Sequence, residues 1–202
     1  MENVAFYIAV YLLASIPFGY ILALKFAKVD IKNEGSGNIG ATNVLRVVKE
    51  KDEALGKKLG AITLFLDAIK GAVVLLIAMA FDVNESVLWT IAVLAVMGHC
   101  FSIFLSFEGG KGVATAIGVL AVMMPYSAIV AIIIWAFVGK ILKISSLSSI
   151  IALVGFLISS YIIYPEVEGI GSHSPVWLIS IIVFYKHIPN IIRLFNGEEK
   201  RV

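Results

Sequence analysis

Val113-Ala-Thr-Ala-Ile-Gly-Val-Leu-Ala-Val-Met-Met-Pro125-Tyr-Ser-Ala-Ile-Val-Ala-Ile-Ile-Ile-Trp-Ala-Phe-Val138 is a run without charge, interrupted by one proline. Inside a helix a proline removes a hydrogen bond and clashes with the carbonyl four residues back, whereas in the first turn it is tolerated. The run therefore reads either as one long span or as two short helices, 113–124 and 126–138, folded back on each other. Lysine and arginine decide between them. Lys25, Lys28, Lys32, Arg46, Lys49, Lys51, Lys57 and Lys58 crowd the segment between the first two apolar runs, which assigns it to the cytoplasm and the N-terminus to the outside. The next connection, 81–86, carries Asp82 and Glu85 and no basic residue; Lys111 then returns inside. A single span over 113–138 would put Lys140, Lys143 and the C-terminal Lys186, Arg193, Lys200 and Arg201 outside, and Glu166 and Glu168 inside. Two short helices remove every one of these inversions.

The other apolar runs, near 4–26, 59–80, 86–105, 144–164 and 174–192, each approach the roughly 20 residues that cross a bilayer as a helix. Hydrophobic residues make up 60% of the 202, charged residues 15%, and the mean hydropathy is +0.98. Soluble domains run near half and a quarter. The expectation is an all-α integral membrane protein, a single polytopic domain over residues 1–202. It has about seven transmembrane helical segments, two of them short, an outside N-terminus and a cytoplasmic C-terminus. Glu2 stands where a signal peptide would carry basic residues, and no small-residue cleavage site follows, so the first run reads as a retained span. Cys100, the single cysteine, excludes an intrachain disulfide and a thiolate metal cluster and reads as a packing residue. Short helices at membrane depth need ends buried in protein or facing a wet cavity, so this topology implies a polar cavity open to the cytoplasm.

Three polar islands share that side. In the first, Gly35, Gly37 and Gly40 permit unusual backbone angles that could turn successive N–H groups toward one point, among Ser36, Asn38, Thr42 and Asn43. A helix becomes plausible from about Ala41, with Thr42 and Arg46 on one face near its N-terminus. The stretch reads as an anion cradle or as a plain polar loop. In the second, Gly109, Gly110 and Gly112 surround Lys111 just before a helix, another place where N–H groups and an ammonium can meet an anion. It is not a Walker A loop, because no Ser or Thr follows the lysine. His99 and Ser102 share a face nearby, and His99 reads as a packing residue or a direct contact. In the third, Pro189 suits the first turn of a helix and Gly197 its cap, so His187, Asn190 and Arg193 recur at a spacing of three, a grouping that reads as anion recognition more than as an activated base. A basic amphipathic tail on anionic lipid is the other reading. Asp67 and Lys70, one turn apart inside the second span, read as a structural ion pair, because each alone would cost about 2.5–3.5 kcal/mol at a helix centre.

Ser36-Gly-Asn-Ile-Gly-Ala-Thr-Asn-Val-Leu-Arg46, Gly98-His99 leading to Gly109-Gly-Lys-Gly112, and His187-x-x-Asn190-x-x-Arg193-Leu-x-x-Gly-Glu198 resemble the three motifs of the PlsY family. These are the acyl-phosphate-dependent glycerol-3-phosphate acyltransferases of bacterial membranes, and the likeness covers nearly the whole chain. It implies transfer of a fatty acyl group from acyl phosphate to the sn-1 hydroxyl of glycerol 3-phosphate, giving lysophosphatidic acid and phosphate, the first acylation of phospholipid biosynthesis. It also implies a multi-pass protein of the bacterial inner membrane with its active site facing the cytoplasm. The expected reaction centre is Ser36, Arg46, Lys111, His187 and Asn190. Gly37, Asn38, Gly40, Thr42, Asn43, His99, Ser102, Gly109, Gly110, Gly112 and Arg193 are expected around the substrates. The motif-three glutamate falls on Glu198, with a structural role, and Asp67 and Lys70 are structural as well.

The residues suit that chemistry. Acyl phosphate already carries a good leaving group, so positioning can supply about 7–11 kcal/mol of the barrier. Arg46 and Lys111 offer one charge to each of two phosphates, and the acyl tail can enter sideways from the lipid. His187, or a substrate phosphate, can take the proton. No His-x4-Asp pair and no clustered aspartates occur, so neither acyl-CoA, a metal nor another cofactor is expected. The expected partners are glycerol 3-phosphate, fatty acyl phosphate, membrane lipids and an enzyme that produces the acyl phosphate, with no nucleic acid. The competing class is a transporter or channel for a small phosphorylated anion. Against it, the polar islands all lie on one side, leaving no second gate. An intramembrane protease is weaker still, since Ser36 lies in a loop.

Overall fold

The computed structural model describes residues 2–201, which are helical with no strand among them. The first apolar run is broken. Helix α1 (Glu2–Ala14) gives way at Ser15, Ile16 and Pro17 to α2 (Phe18–Leu22) and a π-helical turn (Ala23–Ala27), and the two halves are bent by 41°. Pro17 dictates the break, since it lacks an N–H and disfavours helical angles at Ile16. Carbonyls freed in hydrocarbon need donors, and neighbouring elements supply them. Ser102 Oγ donates to the Ser15 carbonyl at 2.6 Å, and Lys70 Nζ donates to the Ile16 carbonyl at 2.8 Å.

A short amphipathic helix follows, α3 (Ala41–Lys49), and then the long α4 (Glu53–Ala80), capped by Asp52, which accepts from the Leu55 N–H. Helix α5 (Glu85–Cys100) is enclosed by α1, α4, α9 (Ser174–Phe195) and α6 (Val113–Met123). Helices α7 (Pro125–Leu142) and α8 (Ser145–Ile163) form a hairpin at the side of this group. Large apolar side chains such as Phe65, Phe137 and Ile162 stay exposed on its outer faces, as positions against lipid do.

The split at Pro125 is real: Met124 ends α6, and Pro125 opens α7. The second half is longer than expected, however, because α7 runs on to Leu142 and is span-length. Since α7 has 18 residues against 11 in α6, and the two share a turn, the start of α6 lies about 10 Å short of the end of α7. Lys111 is thereby set in a recess. Among the described residues, five helices are long and apolar enough to cross a membrane, the bent pair reaches that length and hydropathy only when its halves are taken together, and α6 is a shorter apolar helix.

Contacts sort the connections into two ends. Lys32 pairs with Glu108 at 3.3 Å, Thr42 Oγ1 meets Ser145 Oγ at 3.0 Å, and Ser146 Oγ donates to Glu199 at 2.6 Å. These gather loop 28–40, loop 101–112, the α7–α8 turn and the tail at one end. Of the sixteen Lys and Arg residues, all but Lys70 lie in segments leading to that end. At the other end, Gly169 abuts Glu85, and the Tyr126 N–H donates to the Tyr164 hydroxyl at 3.2 Å. With the basic end facing the cytoplasm, a cysteine at position 170 in a Cys100→Ala background should react with a membrane-impermeant thiol reagent added outside, and one at 141 should be protected. The reverse pattern would sink that orientation.

Candidate active site

Residues 31–40 form a loop organised by Asn43, which is buried in α3. Its Oδ1 accepts from the Ser36 N–H at 2.8 Å, and its Nδ2 donates to the carbonyls of Ile31 and Glu34 at 3.0 and 3.1 Å. Gly35 and Gly37 have φ of 65° and 70°, and a β-carbon on Gly35 would overlap the Asn43 amide. Gly40 departs from expectation, being an extended cap residue with φ of −78°. So does the cradle of N–H groups. The Gly37 N–H donates to the Glu34 carbonyl and the Gly40 N–H to Asn38 Oδ1, so the loop spends these amides on itself. The second glycine stretch behaves likewise, with Gly109 and Gly110 donating to the carbonyls of Cys100 and His99. What the loops still offer to a ligand is the Ser36 hydroxyl, the Asn38 amide N–H groups, the Lys111 ammonium and the backbone N–H groups of Lys111 and Gly112, which have no hydrogen-bond partner among the described residues.

These side chains stand between two cavities. The more polar one, about 370 Å³, is lined by Ser36, Gly37, Asn38, Gly109, Lys111, Tyr185, Lys186, Ile188, Pro189, Asn190 and Arg193. A larger one, about 490 Å³, takes in Gly40, Thr42, Asn43, Arg46 and His187 and then runs between apolar walls that include Leu64, Phe65, Ile117, Ile132 and Trp135. Ser36, Asn38, Lys111 and Asn190 line both, so the two cavities meet there.

Helix α9 supplies the opposite wall. It runs through Pro189 without a new start, which corrects the expectation of a separate short helix. Pro189 leaves the Tyr185 carbonyl without its helical donor. The buried stripe Val176, Ile179, Ser180, Val183 continues into His187 and Asn190, which carries these polar groups to the cavity on an otherwise apolar face. His187 Nδ1 lies 2.7 Å from the Val183 carbonyl. A carbonyl only accepts, so Nδ1 carries the hydrogen, and neutral His187 keeps its lone pair on Nε2.

Gly197, with φ of 71°, turns the chain back at the end of α9, as its position suggested. The next two glutamates differ. Glu198 is exposed, whereas Glu199 enters the cavity wall, where its carboxylate accepts from Ser146 Oγ (2.6 Å), Asn190 Nδ2 (2.6 Å) and Arg193 Nε (2.8 Å). The structural role expected at Glu198 therefore belongs to its neighbour. Burial pushes the Glu199 pKa up, but those three hydrogen bonds and the Arg193 charge outweigh it and hold the carboxyl below its ordinary range. Burial also lowers the Lys111 ammonium to about 8, against the pull of Glu199 and with the repulsion of Arg193 and Arg46. Ser145 and Ser146 at the start of α8 were not legible as site residues, because serines near a helix N-terminus are common caps.

Of the other expected contacts, His99 and Ser102 are buried and line neither cavity. Gly110 and Gly112 pack against His99 and Cys100. Asp67 and Lys70 do pair, at 2.9 Å, and Asp67 reaches the wall of the larger cavity.

Residues 4–197 match the family model described as glycerol-3-phosphate acyltransferase. The chain belongs to the glycerol-3-phosphate acyltransferase family. The acyltransferase of this name from Sulfurimonas denitrificans is 56% identical over 200 residues, covering 99% of this chain and 96% of that protein. The one from Campylobacter concisus is 54% identical over the full length of both. Among solved structures, the glycerol 3-phosphate form of PlsY, an integral membrane glycerol 3-phosphate acyltransferase, superposes with a TM-score of 0.87 at 36% identity, covering 100% of this chain and 96% of that one. Its lysophosphatidic acid form superposes with 0.85. As a member of this family the chain is an acyltransferase. The two glutamates after Gly197 can be told apart by substitution. Glu199→Gln should lower the melting temperature in detergent, by about 2–4 °C for each kcal/mol lost, while Glu198→Gln leaves it unchanged. Equal effects would contradict the assignment.

Proposed function

We propose that this chain transfers a fatty acyl group from acyl phosphate to the sn-1 hydroxyl of glycerol 3-phosphate, producing lysophosphatidic acid and phosphate. The observation that carries the reading is the junction at Ser36, Asn38, Lys111 and Asn190 between a polar and a largely apolar cavity. One substrate is a small phosphorylated alcohol and the other a hydrocarbon chain with a phosphorylated head, so their reacting atoms meet only where two such compartments touch. The acyl chain lies between α4, α6 and α7. Lys111, Arg193 and Arg46 hold the phosphates, with Arg46 reached from α3. The site faces the cytoplasm of a bacterial inner membrane, in a single polytopic domain. An enzyme that makes acyl phosphate supplies the donor, and the reaction needs no cofactor, because the mixed anhydride is already activated.

In the reaction the sn-1 hydroxyl oxygen bonds to the acyl carbonyl carbon, and the bond from that carbon to the phosphate oxygen breaks with its electron pair. His187 Nε2, the free lone pair of that ring, accepts the hydroxyl hydrogen bond and then the proton, which returns to the departing phosphate. A neutral Nε2 cannot donate to a phosphate, so this geometry favours contact with the alcohol over the anion-binding role suggested by the spacing of His187, Asn190 and Arg193. Ser36 and Asn38 offer donors to the oxygen that gains charge as the carbonyl is attacked, the kind of stabilisation expected from fixed hydrogen-bond donors.

The test is phosphate release by purified protein in detergent. It should require both acyl phosphate and glycerol 3-phosphate, and acyl-CoA should not replace the donor. His187→Asn should lower turnover by roughly 10²–10⁴-fold, with a smaller effect on the KM for glycerol 3-phosphate and loss of the ascending limb of the pH profile. A persisting limb would assign the proton to a substrate phosphate instead.

Lys111 sets the opposite limb. Its charged form binds phosphate, so kcat/KM for glycerol 3-phosphate, which reports the free enzyme, should fall as pH rises through about 8. In Lys111→Arg, where the charge persists, the fall should move to higher pH. An unmoved limb would remove Lys111 from this role.

A further inference from the structure

Asp67, Lys70 and His99, 3%, 7% and 4% exposed, form a buried cluster of ionisable side chains outside both the reaction just described and the phosphate contacts. For a membrane segment this is an expensive arrangement. Replacing buried ion pairs by apolar residues is often neutral or stabilising, so cohesion alone does not account for such a cluster. The Asp67 carboxylate lies 2.9 Å from Lys70 Nζ and 3.6 Å from His99 Nδ1. The Lys70 ammonium is fixed in turn by the Ile16 carbonyl at the break in the first span.

From His99 the connection passes directly to the second glycine stretch. The His99 carbonyl accepts from the Gly110 N–H at 3.0 Å, and the Cys100 carbonyl accepts from the Gly109 N–H at 3.1 Å. The imidazole packs so closely on Gly110 that a β-carbon there would overlap Nε2. On the far side of Lys111, in the first turn of α6, Thr115 Oγ1 donates to the backbone carbonyl of Asp67 at 2.8 Å. Lys111 is thus bracketed by two attachments, one before it from Gly110 to the His99 backbone and one after it from Thr115 to the Asp67 backbone.

We propose that Asp67, Lys70, His99 and Thr115 are positioning residues for substrate binding: they fix the loop that presents Lys111 to the phosphate of glycerol 3-phosphate. The inference rests on the functional reading above. It separates this cluster from a purely cohesive one, because a loop held a fraction of an ångström out of place still folds but meets the phosphate poorly. The donor's acyl chain, held by the apolar walls, is affected much less.

The experiment is steady-state kinetics on purified protein, with both substrates varied. Thr115→Val removes one bracket with little change of volume, and Asp67→Asn removes the carboxylate charge beside His99 and Lys70. Each should raise the KM for glycerol 3-phosphate at least about tenfold, the scale on which small misplacements act, and for Thr115→Val, whose residue lines neither cavity, the KM for acyl phosphate should stay within twofold. Thr115→Ser, which restores the hydroxyl, should recover the wild-type value. Should Asp67→Asn fail to give monodisperse protein, the charge-balanced Asp67→Asn/Lys70→Gln and the Thr115 pair decide the matter. Variants that lose active protein in proportion to stability, with both KM values unchanged, would overturn the proposal while leaving the functional reading intact. Absence of turnover in the wild type would instead overturn the functional reading itself.

Discussion

Hydrocarbon supplies no hydrogen-bond partner, and every place where this backbone leaves helix within the membrane must find one inside the protein. The break at Pro17 is the clearest case. Its carbonyls are met by Ser102 from beyond α5 and by Lys70 from α4, so one proline in the first span commits a hydroxyl and an ammonium on two other elements. Lys70 then needs a counter-charge, which Asp67 provides one turn earlier. The buried charges follow from the broken span as much as from the chemistry.

The same demand shapes the two glycine stretches. The amides of Ser36, Gly37 and Gly40 close on their own segment and those of Gly109 and Gly110 on the end of α5. A loop whose N–H groups faced a ligand would leave them unpartnered before it arrived, at a cost of about 1–3 kcal/mol for each buried group. Spending the amides internally avoids that cost and transfers recognition to Ser36, Asn38 and Lys111. Glu199 closes the other side. Its carboxylate ties α8, α9 and the tail together, and it places a negative charge close to the cations of the cavity.

The two cavities differ in polarity because different elements wall them. Loops and the polar end of α9 surround the smaller one, whereas α4, α6 and α7 continue the larger one toward lipid. Shortness is what lets them meet. A full-length α6 would carry its first turn to the level of Leu142, whereas eleven residues stop it lower and set Lys111 at the junction.

The sequence by itself determined the class, the apolar segments, the split at Pro125 and the common side of the three polar islands, because hydropathy and lysine distribution act locally and add along the chain. It also brought out Ser36, Arg46, Lys111, His187 and Asn190 as a set, through motif resemblance. Only the tertiary structure decided what each polar group touches. Asn43 became the organiser of its loop, His99 and Ser102 turned into the interior, and α9 ran straight through Pro189, whose lost hydrogen bond the packing of one long helix outweighs. Glu199 rather than Glu198 took the anchoring role. The choice between two adjacent carboxylates depends on the turn at Gly197, which aims one side chain at Ser146, Asn190 and Arg193 and the other at solvent. Such a choice depends on Ser146, 53 positions away, as well as on two nearby residues of α9, and no local pattern records it.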